Sequence, residues 1–279
     1  MNALRENEGL LHSYVSTLVY VDESIPGPSD ESEDYKNILS EYNSQVTHSC
    51  DCSKCVDTSC KCLQQSGGVQ NYILDGKGNI GAYKLNTIFD VNSGFIKECN
   101  DLCSCSEYCG NRLVQKGPID CLMVQSCKNS LKGLGLITCQ AIHRGTFICE
   151  YAGELLTRDQ AIFRNNLNQQ SGKMNYIFCL QEHCNGKTLQ TFIDPSYIGN
   201  IGRYINHSCE PNCKIIPVRV NSMIPKLAIF SSEDILPGTE LTFDYGCTSN
   251  IFDTEQNVCR KVCLCGSPSC RGIMPFNTY

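Results

Sequence analysis

The sequence predicts a mainly β protein of several small sheets with one inserted helix, flanked by cysteine-rich segments that use metal in place of an apolar core. Three observations carry this. Short runs of β-branched and aromatic residues recur between residues 121 and 245, separated by turn signals. One segment alone has helix start and stop signals. The 22 cysteines of the 279-residue chain are clumped rather than spread.

Residues 1–45 carry PGPSDESED (Pro26 to Asp34), which reads as a solvated acidic loop in a peripheral, partly ordered segment. Residues 46–115 hold two tight cysteine groups. The first is Cys50, Cys52, Cys55, Cys60 and Cys62; the second is Cys99, Cys103, Cys105 and Cys109. A Gly- and Asn-rich loop separates them, and hydrophobic periodicity is nearly absent, so folding there depends on metal.

Between Cys121 and Tyr245 the runs CLMVQSC, LGLITC, TFICEYAGEL, MNYIFCL, TFIDP, CKIIPVRV, KLAIFSS and ELTFDY read as strands. HRG, CNGK and LPGT mark turns between them. TRDQAIFRNNLNQQSG reads as the helix, with Thr157 as N-cap, Asp159 and Gln160 in the first turn, and Gly172 at the stop. After residue 247 the strand pattern fades and CLCGSPSC appears, with Cys263, Cys265 and Cys270.

Composition narrows the function. A net charge of −6 suits a basic partner and argues against direct phosphate-backbone binding. No run of about 18 apolar residues is present, so no membrane span is expected. The start MNALRENEGLLHSYVSTLVYV lacks the marks of a signal peptide, which weighs against a secreted disulfide scaffold.

Metal explains the clumping better. Tetrahedral zinc takes four thiolate or imidazole ligands, and C-x-C and C-x-x-C spacings aim neighbouring sulfurs at one ion. Three all-cysteine sites need twelve ligand positions, and nine cysteines supply twelve if three sulfurs bridge. Nine therefore fits a triangular three-zinc cluster. The C-terminal trio lacks a fourth ligand. Cys259 is the local candidate, Cys209 and Cys213 the distant ones, and spacing does not choose among them. RYINHSCEPNC, residues 203 to 213, also places His207 beside Cys209. A nucleophile–base pair normally comes from separate segments, and no oxyanion signature accompanies this one, so a cysteine hydrolase is the weaker reading.

LKGLGL (Leu131 to Leu136), CEYAGE (Cys149 to Glu154), NYIF (Asn175 to Phe178), RYINHSCEPN (Arg203 to Asn212) and ELTFDYG (Glu240 to Gly246) follow one another in this order. With the nine-cysteine block before them and CLCGSPSC after, the chain resembles a SET-domain protein lysine methyltransferase over roughly residues 45 to 279. The resemblance implies a pre-SET module at 46–115, a SET domain at 116–247 and a post-SET segment at 248–279. It implies methyl transfer from S-adenosylmethionine to a lysine amine on a histone tail, and a nuclear, chromosome-associated enzyme acting on chromatin without sequence-specific nucleic-acid binding.

The resemblance also implies residue roles. Tyr245 matches the catalytic tyrosine, Tyr151 a wall of the lysine channel, and Phe243 the position that limits the product state. Phenylalanine there points to di- or trimethylation. Lys132, Gly133 and Leu134 match a turn that cradles the cofactor through backbone groups, although the family often has Trp where Leu134 stands. Tyr176, Arg203, Asn206 and His207 match further cofactor contacts, with His207 a binding residue rather than a base. Leu264 matches the closing post-SET loop. Three zinc ions fall to the nine cysteines, and one to Cys209, Cys263, Cys265 and Cys270, which leaves Cys213 a free thiol. A catalytically weak SET protein acting as a zinc-stabilised chromatin-binding module is the other reading; the intact Tyr245, Asn206, His207 and GLG argue against it.

Overall fold

The computed structural model describes residues 18–56, 59–76, 83–86, 95–184, 186–246 and 261–275. In chain order the elements are β1 (Val19–Tyr20), β2 (Ile25–Pro26), α1 (Glu33–Asn43), α2 (Lys61–Gln65), β3 (Tyr72–Leu74), β4 (Tyr83–Leu85) and β5 (Ile96–Lys97). There follow β6 (Leu122–Ser126), β7 (Leu134–Thr138), β8 (Phe147–Glu150), β9 (Gly153–Leu156), α3 (Arg158–Gln170), β10 (Phe178–Cys184) and β11 (Lys187–Gly199). Last come β12 (Asn206–His207), β13 (Cys213–Arg219), β14 (Lys226–Ser231) and β15 (Thr242–Phe243).

These strands make several small sheets. One runs β1-β11-β9-β2, with β10 forming a long hairpin on β11. Another runs β5-β13-β14-β8, and β3-β4, β6-β7 and β12-β15 are two-stranded. β12 and β15 pair in parallel, His207 opposite Phe243, which brings RYINHS against ELTFDY from far apart in sequence.

The helix forms where its signals stand. Thr157 caps α3 and accepts from Gln160 N–H, while the Gln160 side chain bonds back to Thr157 N–H in a reciprocal capping box. Arg164 ties α3 to the sheet, 2.7 Å from both Glu154 and Asp194, whose side chains are buried.

Two parts depart from the sequence reading. Residues 18–45 do not stand apart: β1 pairs with β11 and β2 with β9, and Lys226 bridges Glu23 at 2.6 Å to Glu150 at 3.1 Å. Within the acidic stretch, Ser32 caps α1 and Glu33 and Asp34 fill its first turn, where carboxylates suit the helix dipole. The run from Met174 enters its strand only at Phe178.

The core divides into separate apolar clusters, one of which packs the cysteine-rich region against the β domain. Leu136, Ile148, Ile193, Ile205, Leu227, Ile229 and Leu241 make the centre of the cluster within the β domain. Tyr72, Leu85, Ile96 and Val114 pack with Phe147, Ile216, Val218 and Phe230 in a second layer. Buried Glu98 seals that junction by accepting from Leu113 and Val114 N–H, the Gln115 amide and the Tyr72 hydroxyl.

Candidate active site and metal centres

The LKGLGL segment turns between β6 and β7. Asn129 caps a short 3-10 turn at residues 130–132, and Gly133 follows at φ 75°, a conformation that glycine adopts without strain. A Cβ on Gly135 would sit 2.7 Å from Cys127 Sγ and 3.0 Å from Glu240 Oε1, so only glycine lets the strand pass this close.

Glu240 organises the turn. Lys132 Nζ donates to both its oxygens, at 2.8 and 2.6 Å, and Asn206 Nδ2 donates to Oε1 at 2.8 Å and to Leu134 O at 3.0 Å. Burial raises the Glu240 carboxyl, but the hydrogen bonds from Lys132 and Asn206 outweigh it and hold the group below the ordinary carboxylate range. The adjacent Cys127 thiol is pushed up to about 11 by burial and by Glu240. The resemblance gives Lys132 a role through backbone groups; its ammonium also anchors the turn.

Beside this turn four rings converge. Phe243 lies 4.8 Å from Tyr245, 5.8 Å from Tyr151 and 5.9 Å from Phe178, and Tyr151 lies 6.0 Å from Phe178, all between ring centroids. Phe243 is fully buried. Tyr151 OH donates to Tyr176 O at 2.5 Å, and Tyr245 OH to Ile205 O at 2.8 Å. Burial pushes both phenols well above the usual tyrosine range, so both stay protonated.

RYINHS supplies the neighbouring wall. The Arg203 guanidinium stacks 4.5 Å over the Tyr176 ring and 5.3 Å over Tyr204, and its buried Nε finds no hydrogen-bond partner among the described residues. The His207 ring is buried against Tyr245, 5.4 Å between centroids. Tyr245 N–H donates to its Nδ1 at 3.3 Å, and Cys209 Sγ lies 3.5 Å from its Nε2. Burial lowers the imidazole pKa against the opposing pull of Asp244.

The sulfurs are spaced for zinc. Four thiolates about 2.3 Å from one tetrahedral ion stand about 3.8 Å apart. Cys50, Cys55 and Cys99 form a triangle with edges of 3.6, 3.9 and 3.5 Å. Cys52 and Cys60 complete a four-sulfur set on the Cys50–Cys55 edge, and Cys62 and Cys103 on the Cys50–Cys99 edge. Cys105 groups with all three corners, and Cys109 lies against Cys99 and Cys55. Three shared corners and six outer sulfurs are what a bridged three-ion cluster needs. The donor set is all thiolate, which fits zinc.

Cys209, Cys263, Cys265 and Cys270 form a separate set with all sulfurs within 4.8 Å of one another. Cys259 lies outside the described residues. Cys213 is buried at the start of β13, outside the four-sulfur sets, its thiol pushed up to about 12 by burial. Among the residues whose side chains are described, no cysteine is in a disulfide. Leu264 is half-buried between Cys263 and Cys265 in the chain. The C-terminal segment docks through Arg271, which bonds Asp244 Oδ2 at 2.8 Å, and through Ser269, whose N–H and hydroxyl donate to Glu210.

Sequence reasoning passed over Glu240, Phe178, Cys127 and Asp244. Glu240, Phe178 and Asp244 stand inside motifs that were read for their neighbours; nothing local marks Cys127.

The SET domain model matches residues 133–246, and the Pre-SET motif model matches residues 6–112. The histone-lysine N-methyltransferase SETMAR of Rattus norvegicus is 44% identical over 240 residues, 82% of this chain and 72% of that protein. The crystal structure of the methyltransferase domain of human SETMAR aligns with a TM-score of 0.73 at 36% identity, covering 93% of this chain and 90% of that one. Arabidopsis thaliana SUVH6, solved in complex with SAM, aligns with a TM-score of 0.69 at 27% identity, covering 92% and 50%. The chain belongs to the SET-domain family of histone-lysine N-methyltransferases.

Proposed function

We propose that the chain transfers a methyl group from S-adenosylmethionine to the side-chain amine of a lysine on a histone tail, carrying it to the di- or trimethyl state. The observation that carries this reading is the cluster of Tyr151, Phe178, Phe243 and Tyr245, with both phenol protons committed to backbone carbonyls. A lysine must attack as the neutral amine. At a reference pKa near 10.4, holding it neutral near pH 7.4 costs about 4 kcal/mol. Walls of aromatic carbon lower that cost by disfavouring the ammonium. A phenol whose proton is donated elsewhere presents its oxygen as an acceptor. Tyr245 and Tyr151 therefore each take an N–H of the unmethylated amine, which turns its lone pair away from both phenols. Phe243 and Phe178 offer no such acceptor and leave room for the product methyls.

S-adenosylmethionine, when bound, supplies a methyl on a positively charged sulfur. The residues present suit it. Arg203 Nε, beside the Tyr176 ring, is a buried donor without a partner among the described residues, a fit for an anionic group such as a carboxylate. The glycine turn at Lys132, Gly133 and Leu134 leaves backbone open to close approach. Asn206, His207 through its backbone, and Leu264 complete the set. The nine N-terminal cysteines would hold three zinc ions, and Cys209, Cys263, Cys265 and Cys270 one. These ions would hold together the cysteine-bearing parts of the pre-SET (46–115) and post-SET (248–279) segments that flank the SET domain (116–247) in sequence.

The net charge of −6 suits a basic histone tail, and a histone substrate supports a nuclear, chromatin-associated role. Among the described residues no helix is long and apolar enough to cross a membrane. The test is mass spectrometry of core histones after incubation with S-adenosylmethionine and zinc-loaded protein, read beside Tyr245→Phe. We expect dimethyl- and trimethyllysine from the wild type, and a loss of about 10²–10³ in rate in the variant, the usual cost of one positioned hydrogen-bonding group. Equal incorporation by both proteins overturns the assignment and favours a chromatin-binding role.

A further inference from the structure

The His207 ring packs against the Tyr245 ring. Its side chain is 1% exposed, and its two nitrogens point at two different parts of the machinery. Nδ1 accepts the Tyr245 N–H at 3.3 Å. A nitrogen that accepts carries no proton, so in the neutral ring the proton sits on Nε2. Nε2 lies 3.5 Å from Cys209 Sγ, a sulfur that also receives the Arg271 N–H. Asp244 Oδ1 is 3.6 Å from Nδ1, beyond hydrogen-bonding distance. A zinc-bound thiolate accepts hydrogen bonds and donates none, so it favours the same tautomer.

We propose that His207 is a positioning residue that couples the C-terminal zinc site to the backbone of Tyr245 through one fixed tautomer. Thiolate at Cys209 holds the proton on Nε2; Nδ1 is thereby kept as the acceptor for Tyr245 N–H. The Tyr245 peptide is held beside the His207 ring, and the phenol reaches Ile205 O from that anchor. This rests on the reading of Cys209, Cys263, Cys265 and Cys270 as a zinc site.

Three measurements test it on the zinc-loaded full chain. Long-range proton–nitrogen NMR reads the tautomer, with the His207 signal assigned by its absence from a variant. Native mass spectrometry counts ions under increasing chelator. Steady-state kinetics separates kcat from KM. The loaded wild type should hold four zinc ions and show His207 protonated on Nε2. His207→Asn keeps an oxygen near Tyr245 N–H but no donor that reaches Cys209. It should lose the fourth ion about 10- to 100-fold more readily, the usual effect of removing a partner behind a metal ligand, and keep the other three. His207→Gln reaches Cys209 but not Tyr245 N–H; it should keep four ions and lose kcat with KM for the histone unchanged.

A proton on Nδ1 in the loaded wild type overturns the inference without any variant. So does a His207→Asn protein that holds the fourth ion as tightly as wild type, or a His207→Gln protein with full kcat. A wild type that binds only three ions overturns the metal reading itself, and the coupling with it.

Discussion

Glu240→Gln removes the charge that holds the turn from Lys132 to Leu134 while keeping the shape of the side chain. Lys132 Nζ sits 2.6 and 2.8 Å from the two carboxylate oxygens, and its own side chain is 11% exposed. Opposite charges about 3 Å apart attract by about 5 kcal/mol where the effective dielectric is about 20. Desolvation of the pair cancels part of this, and a hydrogen bond to a charged group nets about 1.5–3 kcal/mol. We take about 2 kcal/mol as the loss, felt in the turn from Lys132 to Leu134. If cofactor binding must first restore that turn, its dissociation constant rises about 30-fold. The assay is calorimetric titration of S-adenosylmethionine into wild type, Glu240→Gln, and the double variant Lys132→Met/Glu240→Gln. The double variant should recover much of the affinity, because neither charge is left alone. The carboxyl is held below its usual value of 4.5, so the pair is intact above about pH 4.5 and is lost as pH falls through the folded-state value. Wild-type affinity in Glu240→Gln, or a double variant weaker than the single, refutes the reasoning.

Three more outcomes are expected. Cys209→Ser should bind three zinc ions instead of four and lose most activity without any change at the reacting groups; full activity with four ions rules this out. Phe243→Tyr should shift the product toward monomethyllysine, since a phenol hydroxyl takes up space and can hold the amine; an unchanged trimethyl fraction by mass spectrometry counts against it. With a peptide substrate, the rate should climb about tenfold per pH unit from 7 to 9 as more lysine becomes neutral. Tyr151 and Tyr245, pushed up by burial, contribute no fall in that range; a profile that turns down before pH 9 contradicts their protonated state.

Much of this was legible in the chain. Thr157 and Gln160 announce α3 because a capping box is local chemistry. Nine cysteines announce a shared-ligand cluster because ligand counting needs no fold. The segment before residue 46 was read less well. β1 and β2 are two residues each and pair in parallel with distant strands, so they leave no alternating pattern to find. The acidic run of α1 looks like a solvated loop until Ser32 is recognised as its cap. Within the site, motifs point to Tyr245 and Asn206 as candidates. The Glu240 bridge to Lys132 leaves no such mark, because it joins residues 108 positions apart.

The sulfur triangle at Cys50, Cys55 and Cys99 has a consequence for how the protein takes up metal. Each corner belongs to two sites, so extracting one ion leaves both neighbours holding sulfurs whose second bond has been cut. Partly filled clusters are then poor intermediates, and loading is cooperative. When zinc is scarce, the population should divide into molecules with a complete N-terminal cluster and molecules with none, while the isolated C-terminal site fills on its own curve. Scarcity would thus reduce the number of competent enzymes rather than the competence of each.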